Sequence, residues 1–446
     1  MNRQHDRQGY QKVSYYQQLL GAIGQFLPAR GLPLQVDRQR VCWVPRMLVI
    51  GAILMCWAGG KTLQDRFAKA HDGLVGLYSS RKRPGHSYQG FMARLLEQST
   101  ELLAVVCQAL QRAVRRIAGS AWLVEGWLVF GVDGSRIDGS LTAANEQAFG
   151  CAGKKKTCPQ QLITTLIHVG TGLLWGWRRG DSAASERGHL REMVDLLPAC
   201  SLLLADAGFT GYALLEELGR RGLAFVIRVG ANVRLLEKLG YAVDEHDGIV
   251  YLWPSRQQKQ GLQPLVLRLI VLRDGRNRQT YLLTSVLASD RLSDAQAGRL
   301  YRLRWGVELL YRALKQTLER RKMLSDNPKR AEVELDWTIV GLWLLGLLGL
   351  QAIQQSGHGP SRWSVAGTLR VIQRALDKGP ATYRQNGLRG DLAGCLKDAY
   401  RRSSSKQSRH GKNKKTEQPP GAPKLRMADP SQVALAQRLR EQKPAA

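Results

Sequence analysis

Three acidic residues stand where phosphodiester chemistry could be done. Asp133 and Asp206 each close an apolar stretch, VFGVD and SLLLAD, that reads as a buried strand. A carboxylate at such a strand end is costly unless it is solvated, paired or bound to a cation. Glu308 lies in the stretch YRLRWGVELLYRALK, residues 301–315, which has helical periodicity. Two strand-end aspartates and a glutamate reaching from a packed helix would make an oxygen-rich, partly open cluster. Mg²⁺ and Mn²⁺ prefer such ligands. Two such ions, about 3.5–4 Å apart, can activate a water or a 3′-hydroxyl and stabilise the leaving oxygen of a phosphodiester. Other acids, Asp138, Asp181, Glu186 and Glu192, lie near in sequence and receive no role.

The residues around Glu308 fit the same chemistry. At about 100° per residue, Tyr301, Arg304, Glu308 and Lys315 fall within an arc of roughly 60°. Leu303, Val307, Leu310, Leu314 and Leu318 form an apolar face beside it. Arg offers a bidentate fork for phosphate, Lys a point charge, and Tyr a hydrogen bond with a stacking face. An i,i+4 pair between Arg304 and Glu308 is the simpler structural reading.

The elements that must position these residues follow from the pattern along the chain. Residues 1–120 read as helical, with periodic stretches at 10–27, 46–57, 63–70 and 99–117 and a basic loop at 79–86. Segments 63–70 and 91–96 could be turns of a helix-turn-helix, and this region is expected to dock on DNA. From 121 to 232 come strands at 127–132, 161–169, 173–178, 201–206 and 224–229. Helices at 185–197, capped by Ser185, and at 212–221, closed by Gly222, lie among them. Residues 233–288 read as strands, with Asp274-Gly275 as a hairpin turn. Within 289–355 helix resumes at Asp294, and 337–353 reads as a buried core helix rather than a membrane span. Residues 356–446 end in a cationic tail, 401–446, expected to be disordered.

The 446 residues carry 66 Lys+Arg against 36 Asp+Glu, a net charge of +30. That surplus requires a polyanionic partner, and nucleic acid is the leading one. Lys154, Lys155 and Lys156, together with Arg178 and Arg179, are candidate phosphate contacts. Trp175, Trp177 and Trp305 read as core residues. The seven cysteines are scattered and form no C-x-x-C pair, as expected of reduced thiols used as small hydrophobes. Cys151 and Cys158 could hold zinc with His168, but their spacing is too wide for a usual structural site, and His168 reads as structural. The N-terminus, MNRQHDRQGYQK, is polar and carries no signal peptide.

These residues together resemble one family. The chain looks like a bacterial insertion-sequence transposase of the DDE class, of the group with a Y-x2-R-x3-E-x6-K signature. Tyr301, Arg304, Glu308 and Lys315 match that spacing at every position. Val132-Asp133-Gly134-Ser135 resembles the first aspartate block, and Leu204-Ala205-Asp206-Ala207-Gly208-Phe209 the second. The resemblance covers roughly 120–355.

It implies an α/β fold: an RNase H-like core with a mixed five-stranded sheet, a β-rich insertion at 233–288, and a helical N-terminal domain. It implies that Asp133, Asp206 and Glu308 hold two Mg²⁺ or Mn²⁺ ions, and that Tyr301, Arg304 and Lys315 grip the phosphates of a transposon end. Asn145, Phe149 and Gly150 precede the lysine run at a spacing similar to the family's. Trp253, in the insertion, would lie near a DNA hairpin formed at the excised end. The implied partners are double-stranded terminal repeats and target DNA, with a dimer in the synaptic complex. The implied location is the cytoplasm, at the bacterial nucleoid. A domesticated copy acting only as a DNA-binding repressor is the alternative, and a basic membrane protein resting on 337–353 is a third reading.

Overall fold

The apolar stretch at 337–353 lies inside one long helix, Pro328–Gln355. Pro at the first position and the Asn327 side chain, which accepts from the Arg330 N–H, start it. By length and composition this helix could cross a membrane, but it is almost wholly buried among the helices Pro45–Trp57, Tyr88–Ala118 and Gly387–Ala393. Gly341 makes that packing possible, because Cys56 lies where its Cβ would be. The Trp57 indole donates to the Gly341 carbonyl at 3.0 Å, and that of Trp337 to Ser99 Oγ at 2.9 Å. An apolar helix buried on all sides shows little amphipathicity, which is why its sequence alone resembles a span.

The structure, a computed structural model, describes residues 14–28, 43–76, 83–152, 157–274, 279–378, 387–398 and 421–442. The chain forms two compact units from interleaved segments. A helical unit combines Met1–Gly119, Ile137–Gln161 and Tyr311–Asp398. A sheet unit combines Ser120–Arg136, Leu162–Leu310 and Ala399–Ala446. The first division, between Gly119 and Ser120, lies beside the boundary expected at 120, whereas no division falls at 232, 288 or 355. The reason is packing: helix Pro328–Gln355 supplies the core that the N-terminal helices need.

In the helical unit, Tyr15–Gly24, Leu63–Val75 and Tyr88–Ala118 start at Ser14, Thr62 and Ser87, each accepting from a first-turn N–H. Segment 91–96, expected as part of a helix-turn-helix, is instead the start of the 31-residue helix Tyr88–Ala118. Residues 79–82 of the basic loop lie outside the described residues.

The sheet unit is one ten-stranded mixed sheet. Its strands are β1 (Leu128–Asp138), β2 (Gln160–His168), β3 (Leu173–Gly180), β4 (Ser201–Ala205), β5 (Ala224–Val229), β6 (Arg234–Glu237), β7 (Ile249–Leu252), β8 (Leu265–Arg273), β9 (Gln279–Thr284) and β10 (Lys424–Met427). Their spatial order is β10-β6-β7-β8-β9-β5-β4-β1-β2-β3. β1, β4 and β5 are parallel neighbours, and β2 and β3 form an antiparallel hairpin.

The expected five-stranded core is therefore a contiguous half of a larger sheet. β9 pairs antiparallel with β5, so the insertion strands continue the core sheet. Val129, Leu202, Leu204 and Val226 lie on one face under helix Asp294–Leu303, packed with Ala297 and Leu300. Phe130, Leu203, Phe225 and Ile227, on the other face, are also buried. Burial on both faces explains the continuous apolar runs.

The tail differs from expectation. Residues 421–442 are ordered: β10 pairs parallel with β6, and helix Pro430–Glu441 follows, capped by Asp429. The Arg440 guanidinium stacks 4.2 Å from the Tyr241 ring, and Gln263 donates to the Leu439 carbonyl. High charge concealed a segment whose order comes from backbone pairing with a sheet edge. Residues 401–420 lie outside the described residues.

Candidate active site

The site begins with strand register. Gly131 of β1 is paired with Leu204 of β4. Two residues further along these parallel strands stand Asp133 and Asp206, in neighbouring positions at the strand ends of the pairing. Asp133 is not at the end of its own strand as expected, because β1 runs on to Asp138. Asp206 caps the single turn Ala207–Phe209, its Oδ1 accepting from the Gly208 N–H at 2.8 Å. Asp133 Oδ1 accepts from the Gly134 N–H at 2.9 Å.

Glu308 reaches the same place because two glycines allow a helix close to the sheet. Gly131 and Asp133 share a face of β1. A Cβ on Gly131 would lie 3.1 Å from Val307, the neighbour of Glu308, and one on Gly306 would lie 3.0 Å from Ile167 of β2. Close approach at these two positions seats helix Gly306–Arg312 and carries Glu308 toward Asp133.

The expected continuous helix over 301–315 is broken. Helix Asp294–Leu303 ends, a new helix starts at Gly306, and Ala313–Thr317 forms a π-helical turn. Glycine in a helix interior costs about 1 kcal/mol relative to alanine, and here its bare backbone serves the contact with Ile167. Single π turns recur at functional sites. The helical-wheel arc therefore does not survive, but three of its four residues still meet. The Arg304 guanidinium donates to Asp133 Oδ2 at 3.2 Å and to Glu308 Oε1 at 3.4 Å, and stands 5.8 Å from the Tyr301 ring centre. Burial opposes the Arg304 charge, but Tyr301, Asp133, Asp206 and Glu308 outweigh it and hold it protonated. Burial also raises the Tyr301 phenol, against the pull of Arg304 and Arg228. Lys315 belongs to the helical unit, where burial depresses its amine and Asp138 and Arg321 are its charged neighbours.

Burial raises the Asp133 carboxyl above its usual range. Arg304 and the Gly134 N–H oppose that, and the charge of Asp206 adds to it. A fourth carboxylate, Glu186, is raised by burial first and then by Asp133 and Asp206. Its place is absent from the sequence-derived set, because an acid in the first turn of a helix, here Glu186–Met193, reads as complementing the helix dipole.

A cleft of about 390 Å³ opens beside Arg304. It is lined by Arg228, Arg273, Tyr301, Arg302, Arg304 and Trp305 among others. Arg228, Arg273 and Arg302 were not singled out by spacing. A lone arginine in the apolar strand AFVIRV was the available signal for the first.

The remaining candidates are placed as follows. Trp305, expected in the core, is 52% exposed, because the helix break turns it outward. Trp175 and Trp177 are buried as expected. Trp253 is only 3% exposed, and its indole donates to the Leu262 carbonyl at 2.7 Å, so its ring is core and is not offered to DNA. Arg178 is held by Glu192 at 3.3 Å. Lys154, Lys155 and Lys156 lie outside the described residues. His168 is structural: Nε2 bonds the Trp122 carbonyl, Nδ1 the Thr171 hydroxyl, and its ring stacks on Trp122 at 4.8 Å.

In kind, the donor set fits a hard divalent cation: all oxygen and partly buried, with two carboxyls raised chiefly by burial. As arranged, no three His, Cys, Asp or Glu side chains among the described residues converge on one ion. A guanidinium, itself a cation, lies between Asp133 and Glu308.

Paired carboxylates on adjacent parallel strands, a helix-borne glutamate and an arginine-lined cleft describe a phosphoryl-transfer enzyme, and residues 129–344 match the family of the transposase DDE domain. Residues 129–344 thus form a transposase DDE domain, and the chain is similar to insertion-sequence transposases. It is similar to the transposase InsG of insertion sequence element IS4 from Escherichia coli (strain K12), 27% identical over 335 residues, 68% of this chain and 74% of that protein. Among solved structures it is similar to the piggyBac transposase synaptic complex with hairpin DNA. That likeness covers 84% of this chain and 82% of the other, at 11% identity and a TM-score of 0.40.

Proposed function

We propose that this transposase binds the double-stranded ends of its own element and moves it by metal-dependent strand cleavage and strand transfer. Asp133, Asp206 and Glu308 would hold the divalent ions. The observation that carries this is the convergence of Asp133 and Glu308 on one guanidinium, with Asp206 in register beside Asp133. The strand order β3-β2-β1-β4-β5, with β1, β4 and β5 parallel, supports an RNase H-like core.

Two Mg²⁺ or Mn²⁺ ions, when bound, would lower the pKa of the attacking water or 3′-hydroxyl and stabilise the leaving oxygen. The chain's own residues orient and exclude. Arg304 is placed to exchange its carboxylate partners for a DNA phosphate, and Tyr301 supplies a ring beside it. Arg228, Arg273 and Arg302 extend the positive surface away from the carboxylates. Lys315 is assigned, with Tyr301 and Arg304, to phosphates of the transposon end, Lys154, Lys155 and Lys156 to backbone phosphates, and the N-terminal helices to the terminal repeat. Two copies would pair two ends in the synaptic complex, at the nucleoid in the cytoplasm.

The test uses linear duplex DNA from either side of the reading frame. Asp133→Asn, Asp206→Asn and Glu308→Gln should each lower cleavage by at least ~10³-fold, since metal stabilisation of the transition state amounts to several kcal/mol and each 1.4 kcal/mol is tenfold. End binding in gel shifts should survive. Cleavage near the wild-type rate by any of the three in Mg²⁺ would overturn the assignment of that residue.

A further inference from the structure

The far edge of the sheet carries positive charge that the proposed site does not use. β10 is the outermost strand there, and it pairs with β6 in parallel register, Lys424 opposite Arg234 and Arg426 opposite Leu236. The Lys424 N–H donates to the Val233 carbonyl and the Ala428 N–H to the Glu237 carbonyl, both at 2.9 Å. Paired residues share a face, and alternate residues along a strand return to it. Arg234, Lys424 and Arg426 therefore stand on one face of the β6–β10 pair, and all three are exposed. Strand geometry sets Lys424 about 5 Å from Arg234 and Arg426 roughly 7 Å beyond Lys424.

Like charges placed directly opposite one another destabilise a strand pair. Here nothing in the chain offsets that cost: among the described residues, none of the three side chains has a carboxylate or hydrogen-bond partner. Arg440, in the helix that follows β10, is used differently. It stacks on the Tyr241 ring and donates to the Gly240 carbonyl, which anchors the arm and leaves the row of three outside it.

Register ties this row to the aspartates. Gly131 pairs with Leu204, Leu204 with Val226, Val226 with Thr284, Thr284 with Arg268 and Arg268 with Ile249. Two residues on, Tyr251 pairs with Leu236, and Leu236 with Arg426. Asp133, two residues after Gly131, and Arg228, two after Val226, return to the same face. Helix Asp294–Leu303 covers the apolar middle of that face, and Arg302 at its end lines the cleft beside Arg304. Seven strand spacings of about 4.8 Å separate β10 from β1, so the row lies on the order of 30 Å from Asp133 along the sheet. One turn of duplex DNA spans about the same length, roughly 34 Å.

We propose that Arg234, Lys424 and Arg426 form a rail for the backbone phosphates of the element's own end, about one helical turn of duplex from the cleaved position. This rests on the reading of the chain as an end-binding transposase. A duplex that leaves Asp133 past Arg228 meets the rail on the same face. Phosphate contacts carry no sequence information, so the rail fixes the position and direction of the duplex and leaves recognition of the repeat to other residues. The competing role is edge protection, since charged side chains on an edge strand discourage pairing with other chains. A row kept for that purpose alone would leave DNA binding unchanged.

The test uses the full chain and labelled linear duplexes from either side of the reading frame. Arg234→Gln, Lys424→Gln and Arg426→Gln combined should reduce the slope of log K against log salt by about 2–3, because each phosphate contact contributes about 0.9. Ethylation of phosphates roughly one helical turn from the cleaved position should weaken binding by the wild type and have no effect on this triple variant. A second triple variant, Arg234→Lys, Lys424→Arg and Arg426→Lys, keeps the charge and should keep both responses. If it loses them as fully as the glutamine variant, packing and not charge is responsible and the rail is overturned. An unchanged salt slope or ethylation pattern in the glutamine variant would overturn it too, leaving the three cations as edge protection. Wild-type protein that binds these ends no better than unrelated duplex would sink the end-binding reading itself, a failure distinct from that of the rail.

Discussion

Arg304 joins two of the carboxylates of the proposed site. It is 14% exposed and bridges Asp133 and Glu308, which would otherwise repel each other across a half-buried space. An arginine in that position competes with a divalent ion for the same oxygens and with DNA phosphate for the same fork. Arg304→Ala should therefore have opposite effects on the two ligands. Mn²⁺ binding to the free protein should tighten, while affinity for a duplex end should fall by roughly 10-fold or more, as for loss of a charge-assisted hydrogen bond worth about 1.5–3 kcal/mol. Arg304→Lys should recover little of the end affinity, because a point charge cannot replace a bidentate fork. Fluorescence anisotropy with labelled duplex and a Mn²⁺ titration would measure both. Loosened Mn²⁺ binding in Arg304→Ala would show that the arginine organises the carboxylates and does not compete for them.

The hairpin of β2 and β3 shows how an element is held in register by one neutral ring. His168, at the end of β2, is buried between the Trp122 carbonyl and the Thr171 hydroxyl, with Gly172 in the left-handed region at φ 69° closing the turn. Burial depresses its imidazole to about 4. The unfolded chain binds the proton near pH 6.5 and the folded chain does not, so stability falls as pH drops from 6.5 toward 4. The loss should reach on the order of 2–3 kcal/mol at pH 4 from this group alone. Urea unfolding at several pH values, compared with His168→Gln, would isolate it. A variant with the same pH slope as wild type between 4 and 6.5 would exclude His168 as its source. Because β2 also packs against Gly306 through Ile167, the same hairpin supports the helix that carries Glu308.

For the molecule as a whole, charge is divided by task. The chain carries a net charge of +30, yet the proposed site is built on carboxylates. Positive surface captures the polyanion, and the carboxylates demand a counter-cation at the point of reaction. Counterion release then sets the salt response: with 6–10 phosphates contacted, end affinity should fall by ~10³–10⁵-fold between about 50 and 200 mM salt. Arg228→Ala or Arg273→Ala, in the cleft beside Tyr301, should reduce the slope of log K against log salt by about 1 each without changing sequence preference. An unchanged slope for both would remove that cleft from the DNA path.

Read alone, the chain determined what chemistry it does and most of the elements that do it. The apolar strand that Asp206 follows, the Ser185 cap and the buried helix at 337–353 are local or composition effects, and they are where periodicity and capping place them. The match to the transposase DDE domain agrees with the family that the two aspartate blocks and the 301–315 stretch resemble.

Other features belong to tertiary structure, because they depend on what lies opposite a residue. Whether a tryptophan is core or surface depends on packing, so Trp253 and Trp305 exchanged expected roles. The order of 421–442 comes from an edge strand that its own residues do not encode. The break at Gly306 depends on Ile167, more than a hundred residues away. Glu186, one acid among several by sequence, is distinguished only by the two glycines that make room for it. Of the three carboxylates on which the chain was first read, two are joined by a cation, and a fourth acid, Glu186, packs beside the two aspartate turns.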